Sequence, residues 1–476
     1  MAKLLFIQNI DFAFLGPMYI SSMLKNNGHE CRMAIGTSFD EIKLNIEDFK
    51  PHVCAFSVMT GSHTWAVRVA QQIKKHYDVV TVFGGPHPTF FPDIIKENGI
   101  DIVVRGEGEH ACLEIMDSIE SKKDLSLIRN TLTKINGEVI ENEIRPFISD
   151  IDALPFPDRN LYSPISHRID KSVVSVITSR GCPFKCAFCF NDSMTELYKN
   201  KGRYVRYRSP GNVIEELRKL KEDSRLKTIY FADDIFGMSS TWLKSFLSRY
   251  KFEIKLDFIC LIRADVVASR KEFAKELSDA GCKSVFFGIE SGDEKIRNTI
   301  LRKNIFDKDI YDAAKLLHDS GIKFRTYNMV GIPGETIENA VKTLEMNIKI
   351  RTDYPWCSIF MPLPGTHLTE EAIKKGLLPE GYNPDNLNSS FFMSSPLRMN
   401  DIKQMENLQK FFQTVVLWPW TKKIVYLLIK LNPNFLFSAW FGIIYFYVYL
   451  KSEKRQFIRS LFFAFTNYKH ILSRKT

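Results

Sequence analysis

The sequence predicts an α/β chain in four stretches. A doubly wound, Rossmann-like domain spans 1–140 and a Pro-rich linker 141–170; a partial (β/α)6, TIM-like barrel spans 171–380 and an α-helical, aromatic and basic C-terminal region 381–476. Two observations predict this. Short apolar runs alternate with helical periods from residue 4 to about 140, and the alternation resumes at Val173 on a new rhythm after a cluster of prolines. The chain has 476 residues, 45% hydrophobic and 25% charged, enough for two or three domains with their own cores; disordered and collagen-like chains are excluded.

In the first domain the strand-like runs are Leu4–Gln8, Val53–Met59, Val79–Phe83 and Ile102–Val104, with helical periods at Met18–Asn27 and Thr64–His76. Strand, helix, strand at that spacing argues a parallel sheet. Four turns lie just past strand ends, where such sheets bind ligands: 11–16, 57–62, 84–88 and 106–109. Pro146, Pro155, Pro157 and Pro164 then mark a stiff, extended boundary. Strand-like runs follow at Val173–Thr178, Thr228–Ala232, Leu256–Ile262, Ser284–Ile289, Phe324–Val330 and Cys357–Met361, with helices beginning near Gly211, Thr241, Lys271, Asp307 and Thr336. Six such units make a barrel whose chemistry belongs at the carboxyl ends of the strands.

The net charge of +10 invites a nucleic-acid partner until its position is read. After Trp418 there are ten basic residues (Lys422, Lys423, Lys430, Lys451, Lys454, Arg455, Arg459, Lys469, Arg474 and Lys475) against one acid, Glu453, so the body of the chain is close to neutral. The nine cysteines form only one tight cluster, the pattern of a reducing compartment with a metal or redox site. The short apolar run Leu4–Ile7 ends in polar residues, so it reads as a first strand and not as a secretory leader.

That cluster is Cys182, Cys186 and Cys189, spaced C-x3-C-x2-C on the loop after the first barrel strand. Three thiolates in eight residues can wrap a soft metal centre. Structural zinc closes with four protein ligands, and no fourth cysteine or evident histidine stands by. A four-iron cubane held by three thiolates leaves one iron open, which suits catalysis.

Together with the aromatic Phe188 before the third cysteine, this spacing resembles the radical S-adenosylmethionine (SAM) superfamily, over roughly residues 171–370. The resemblance implies a 4Fe-4S cluster whose open iron is chelated by SAM, reductive cleavage of SAM to a 5′-deoxyadenosyl radical, and an external electron donor. Later strand ends carry fitting groups. Asp233 and Asp234 end the second strand, where they could accept hydrogen bonds from an ammonium or cap the next helix. Arg263 ends the third, as a fork for the SAM carboxylate or as a partner of Asp265. By resemblance, Glu290 and Ser291 at the fourth contact ribose and carboxylate. At the fifth, the segment holding Gly331 and Pro333 lets backbone lie against adenine.

The combination of doubly wound domain, Pro-rich stretch and barrel resembles the cobalamin-binding class of this superfamily. Read so, Ser57 and Thr60 face the corrin or its nucleotide tail, Gly84 and Gly85 let backbone meet the corrin, and Glu107 lines the far edge. The best-known cobalamin folds supply a histidine to cobalt from a D-x-H-x-x-G turn. Here Asp11, Ala13 and Gly16 stand without the histidine, which leaves either cobalamin without a protein imidazole or a domain that binds nothing. His63, His87 and His110 read as loop or core histidines. The pairing implies methylation of an unactivated carbon, with an oxidative cyclase as the alternative outcome. A methylthiotransferase-like nucleic-acid modifier is a further option, since those enzymes also place an α/β domain before this barrel; they add cluster cysteines there, and Cys31, Cys54 and Cys112 are scattered.

Leu431–Leu450 is an uncharged stretch of 20 residues, long enough to span a bilayer, yet it opens on Asn432-Pro433-Asn434 and is rich in Tyr and Trp. Spanning, docking at a membrane surface through 418–476, and packing on the barrel are all open. The expected setting is cytoplasmic, at the inner face of the membrane if the tail docks, with a small, lipid-like substrate.

Overall fold

The computed structural model describes residues 1–387 and 390–453. They form two compact units, one comprising 1–170 and 193–204, the other 171–192 and 205–453.

In the first unit a seven-stranded sheet runs in the order β2-β1-β3-β4-β5-β6-β7. Its strands are β1 (Lys3–Gln8), β2 (Glu30–Ile35), β3 (Val53–Ser57), β4 (Val80–Gly84), β5 (Ile102–Val104), β6 (Thr131–Ile135) and β7 (Glu138–Glu141). The first five pair in parallel and the last two add on antiparallel. Helices α1 (Leu15–Asn26) and α5 (Glu109–Glu120) bury Met18, Leu24, Ala111, Ile115 and Met116 on one face. On the other face, α2 (Phe39–Phe49) and α3 (His63–His76) bury Ile42, Ile46, Phe49, Ala70 and Ile73. A short helix, α4 (Pro86–Phe90), follows β4. Strand order reverses around β1, which opens a crevice at the carboxyl ends of β1 and β3, the switch point of a doubly wound sheet.

The Pro-rich stretch is not a free linker. Leu161, Tyr162 and Ile165 are buried in the same core as α1 and α5. The Tyr162 hydroxyl donates to Gln8 Oε1 at 2.9 Å and accepts from Phe14 N at 3.2 Å. Prolines stiffen a chain without keeping it off a core when apolar residues lie between them, and the compact unit accordingly ends at Asp170.

The second unit is a six-stranded, all-parallel sheet with neighbours in chain order: β8 (Val173–Val176), β11 (Thr228–Phe231), β12 (Asp257–Leu261), β13 (Cys282–Glu290), β14 (Lys323–Val330) and β15 (Tyr354–Ile359). A two-residue ribbon, β9 (Ser179–Arg180) with β10 (Arg206–Tyr207), flanks the loop that contains α6 (Phe190–Leu197). Helices α7 (Pro210–Lys221), α8 (Ser240–Glu253), α9 (Ala264–Ser269), α10 (Phe273–Asp279), α11 (Asp307–Asp319) and α12 (Ile337–Lys349) alternate with the strands. Between strands and helices lies a phenylalanine-rich core of Phe231, Phe236, Phe246, Phe258, Phe273, Phe287 and Phe324. After α13 (His367–Lys374), helices α14 (Ile402–Leu417), α15 (Lys422–Leu428) and α16 (Phe435–Glu453) close the chain.

Helix α16 starts where Asn434 Oδ1 accepts from Phe437 N, just past Pro433. It packs one stripe, Phe441, Ile444, Val448 and Ser452, and its Trp440 indole donates to Thr414 Oγ1 of α14 at 2.8 Å. It is the one helix among the described residues that is long and apolar enough to cross a membrane. Its last turn is nevertheless tied to the sheet, because Glu453 pairs with Arg325 of β14 at 3.2 Å. The basic residues Lys454, Arg455, Arg459, Lys469, Arg474 and Lys475 lie outside the described residues.

Candidate active site

The cysteine loop leaves β9 through Gly181, whose φ of +89° turns the chain in a region where a Cβ is disfavoured. Ala187 pins the loop twice: its N–H donates to Leu301 O at 3.0 Å and its carbonyl accepts from Leu368 N at 2.9 Å. Cys186 is buried, Cys182 and Cys189 are half-buried, and all three are free thiols. Asn191 brings its backbone N and its Nδ2 to 3.5 Å from Cys189 Sγ. Burial pushes the Cys182 thiol up to about 11 and raises Cys186 and Cys189 as well, while Lys303 and Arg263 pull Cys186 the other way. Such thiols stay protonated until a metal displaces the proton.

Among the described residues, no three His, Cys, Asp or Glu side chains could hold a single metal ion. That does not exclude a cubane, in which each thiolate takes a different iron and the ligands stand apart. A pinned loop bearing three soft donors, with cationic side chains beside it to offset the cluster's negative charge, fits such a group.

The predicted SAM residues gather at the carboxyl ends of the same strands, in two roles. Asp233 is a brace: its Oδ1 accepts from Thr178 N at 2.9 Å, Thr178 Oγ1 at 2.8 Å and Ser179 Oγ at 2.6 Å, and burial raises its carboxyl to about 6. Asp234 is exposed and reaches Asn191 Nδ2 at 3.5 Å. The Arg263 fork is taken by Asp265, Nε to Oδ1 and Nη2 to Oδ2 at 3.0 Å each, and its guanidinium stacks 3.4 Å from the Phe184 ring centroid. The pair with Asp265, one of the two readings of Arg263, is thus present.

Glu290, at φ +67°, is paired with Lys303 at 2.8 Å, side chains 11% and 8% exposed. Ser291 is fully buried, its Oγ accepting from Asp293 N at 3.2 Å. Gly331 has φ +79° and donates its N–H to Glu335 Oε2 at 2.7 Å; Ile332 N does so at 3.0 Å, and Pro333 after them is buried. Burial lifts the Glu335 carboxyl to about 8. Phe188 packs beside Leu301, Ile332 and Phe360, with Lys303 Nζ 5.9 Å from its ring centroid. Lys303 carries no periodic or motif signal that singles it out, and only the fold brings it to the cysteine loop; Phe184 and Asn191 stand on the loop itself, and what the fold adds is their contacts with Arg263 and Cys189.

In the first unit the cobalamin candidates cluster at strand ends. Ser57 closes β3 and Gly84 closes β4. Gly85 has φ +95°, and a Cβ there would stand 3.0 Å from Val58 N and 3.2 Å from Ser57 Oγ. Thr60 Oγ1 lies 3.2 Å from His87 Nδ1, and the His87 ring stacks on His63 at 4.2 Å. Both histidines are buried, and burial with the neighbouring His63 pushes His87 down to about 3, so His87 is a neutral core imidazole; His110 is exposed. The Glu107 carboxylate is engaged within the unit, accepting from Ile148 N at 2.8 Å, while its backbone N–H donates to the Tyr198 hydroxyl at 2.9 Å. Asp11 pairs with Arg168 at 3.4 Å. This set of small residues and hydroxyls beside a sheet switch point fits a large planar ligand, and no histidine of the 11–16 turn is on hand for cobalt. Cys31 and Cys112 lie in one core of the unit and Cys54 in the other, so they do not form a second cluster site.

Comparison with known proteins agrees with this arrangement. The family profile described as the radical SAM superfamily matches residues 176–346, and that of the B12 binding domain matches 11–116. The uncharacterized methyltransferase PH0819 of Pyrococcus horikoshii is 32% identical over 372 residues, 76% of this chain and 79% of that protein. The anaerobic magnesium-protoporphyrin IX monomethyl ester cyclase of Rubrivivax gelatinosus is 26% identical over 377 residues, 74% of this chain and 65% of the cyclase. The radical SAM methyltransferase TsrM from Kitasatospora setae, solved with cobalamin and a [4Fe-4S] cluster bound, superposes with a TM-score of 0.65 at 16% identity, covering 79% of this chain and 78% of TsrM.

Proposed function

Because this chain belongs to the cobalamin-binding class of the radical SAM superfamily, we propose that it transfers a methyl group to an unactivated carbon of a small, apolar substrate. When bound, the 4Fe-4S cluster, SAM and cobalamin supply the electron for sulfonium cleavage, the hydrogen-abstracting radical and the methyl relay. An external donor provides the electron.

The chain's own residues hold and orient these groups. Cys182, Cys186 and Cys189 would ligate three irons. Glu290, held against Lys303, and the 331–334 turn, clamped by Glu335, would position SAM. Asp233 stiffens the β8–β11 junction from which the cysteine loop departs, and Ser57, Thr60, Gly84, Gly85 and Glu107 would shape the cobalamin cradle. The observation that carries the reading is the pinned three-thiol loop at the carboxyl end of a parallel barrel whose neighbouring strand ends bear this polar set.

The test is to reconstitute the protein anaerobically with iron, sulfide and cobalamin, then supply reductant, SAM with a trideuterated methyl group and a small-molecule extract of the source cells. A methylated product that carries three deuterons is expected. An unlabelled product two hydrogens lighter would install the cyclase reading, and absence of SAM cleavage would overturn both.

The tail supports peripheral docking on an anionic membrane surface from the cytoplasmic side. Trp420, Leu427, Phe435, Leu436 and Ile443 are all more than 60% exposed, next to Lys423 and Lys430. An apolar ridge flanked by lysines matches the interface of an acidic bilayer. Replacing Trp420, Phe435 and Leu436 together with Glu should abolish co-flotation with vesicles containing phosphatidylglycerol; unchanged flotation would refute docking by this face.

A further inference from the structure

The interior face of β14 carries a feature that none of the cofactor sites uses. Phe324 and Thr326 face the helical layer, Phe324 within the core shared with α11 and Thr326 bonded to Asn347 of α12 at 2.6 Å. Side chains alternate along a strand, so Arg325, Tyr327 and Met329 line the opposite, inner face. Arg325 is 2% exposed. Its guanidinium lies 4.4 Å from the Phe286 ring centroid and 5.2 Å from that of Trp356, the rings of strands on either side.

Aromatic contacts continue from there without a break. Tyr327 packs on Phe286 and Trp356, and Trp356 packs on Phe392 and on Tyr445 of α16. Toward the carboxyl end of the strand, Met329 joins the cluster that holds Phe188 of the cysteine loop. One face of β14 thus runs from a buried cation, along aromatic side chains, to the cysteine loop. Arg325 and Gly331 are six residue steps apart, about 20 Å of strand.

The present partners of this cation are Tyr327 beside it on β14 and the last turn of α16, with Glu453 Oε1 at 3.2 Å on Nη1 and Ser452 Oγ on Nη2. The buried Nε has no partner. A guanidinium presents a planar fork that a free carboxylate can fill with two parallel bonds, and a glutamate reaching in from a helix end fills it only in part.

We propose that Arg325 is a specificity residue that receives the carboxylate of an elongated, apolar substrate, and that Glu453 holds this place in the free protein. The proposal rests on the methyltransferase reading, since it supplies the substrate class for that site. The apolar body of the acid lies along Phe286, Tyr327 and Trp356, which directs its far end toward the cysteine loop. On binding, the substrate carboxylate displaces that of Glu453, a one-for-one exchange of charge on a buried cation, and no uncompensated charge is left inside the barrel.

The probe is dodecanoate, below its micellar concentration, titrated calorimetrically into the reconstituted full-length protein, with dodecan-1-ol as the neutral counterpart. Dodecanoate is expected to bind and dodecan-1-ol to bind at least tenfold more weakly. Glu453→Gln, which removes the internal competitor, should tighten dodecanoate about tenfold, and Arg325→Gln should weaken it about tenfold or more. The gain in Glu453→Gln guards against a loss that merely reflects misfolding. Equal binding of acid and alcohol, or a Glu453→Gln variant that binds no better, would overturn the proposal in favour of a purely structural anchor for α16. Iron content and SAM cleavage, measured on the same samples, report on the methyltransferase reading separately.

Discussion

Replacing Gly288 with Ala tests how the buried ion pair at the end of β13 is held. A Cβ at 288 would stand 1.8 Å from Glu290 Oε1, 2.9 Å from Glu290 Cδ and 2.7 Å from Lys303 Nζ. These are ends of flexible side chains, so the backbone need not move, but they can swing away only by giving up their 2.8 Å pair. Breaking a buried pair costs about 3–5 kcal/mol. Both charges can turn toward solvent, which favours the lower end, and Ala recovers up to about 1 kcal/mol over Gly within a strand. The expected loss is then about 2–3 kcal/mol, which lowers the urea midpoint of the second unit by about 1 M. SAM affinity should fall with it. The decisive comparison is the same substitution in a Glu290→Gly, Lys303→Met background, where there is no carboxylate to strike; there Gly288→Ala should cost under about 1 kcal/mol. Equal costs in the two backgrounds, read by tryptophan fluorescence in urea, would refute the argument that the glycine is required by the pair.

Cys182→Ala, Cys186→Ala and Cys189→Ala should each reduce iron after anaerobic reconstitution from about four per chain to a small fraction of that, whereas Cys112→Ala should retain it; a colorimetric iron assay decides. Gly85→Ala places a side chain at φ +95° with a 3.0 Å contact to Val58 N, so cobalamin affinity by absorbance titration should fall at least about tenfold while iron content is unchanged. His87 folds neutral, with its imidazole pushed down to about 3 by burial and by His63. The unfolded chain takes up that proton near pH 6.5, so stability is full above pH 6.5 and is lost as pH falls toward 3. Between pH 6.5 and 4.5 the wild-type first unit should lose about 2–3 kcal/mol more than His87→Gln; parallel pH profiles for the two would dismiss the imidazole as the cause.

The barrel was legible because each of its strands is a short apolar run closed by a turn, and α7, α8 and α12 open on serine or threonine caps. The predicted strand starts fall within three residues of those found. What could not be read was long-range pairing. β2 lacks a regular alternation, α2 carries only a short stripe of Ile42, Ile46 and Phe49 among polar residues, and β6–β7 is a hairpin with a polar outer strand whose strand character depends on β5. The three-cysteine loop was visible from spacing alone. Lys303 was not, because it lies in a loop and only folding places it opposite Glu290. Arg263 was visible, but a local Asp265 competes for its fork, and sequence cannot weigh the two. The apolar stretch 431–450 has a composition that suits lipid, core and interface alike; the ion pair of Glu453 with a barrel strand is what ties its end to the protein.

The first unit takes residues 193–204 from beyond the cysteine loop, with Tyr198 stacked on Phe147 at 3.8 Å and standing where a side chain on Gly106 would be. During synthesis, therefore, the N-terminal half cannot complete its core when residue 170 leaves the ribosome. It waits for Tyr198, and by then all three cysteines have already been made. A gene cut after residue 170 would yield a first piece lacking part of its own interior, and a cut after residue 204 would instead strip the second unit of β8 and the cysteine loop, so neither split leaves two complete units.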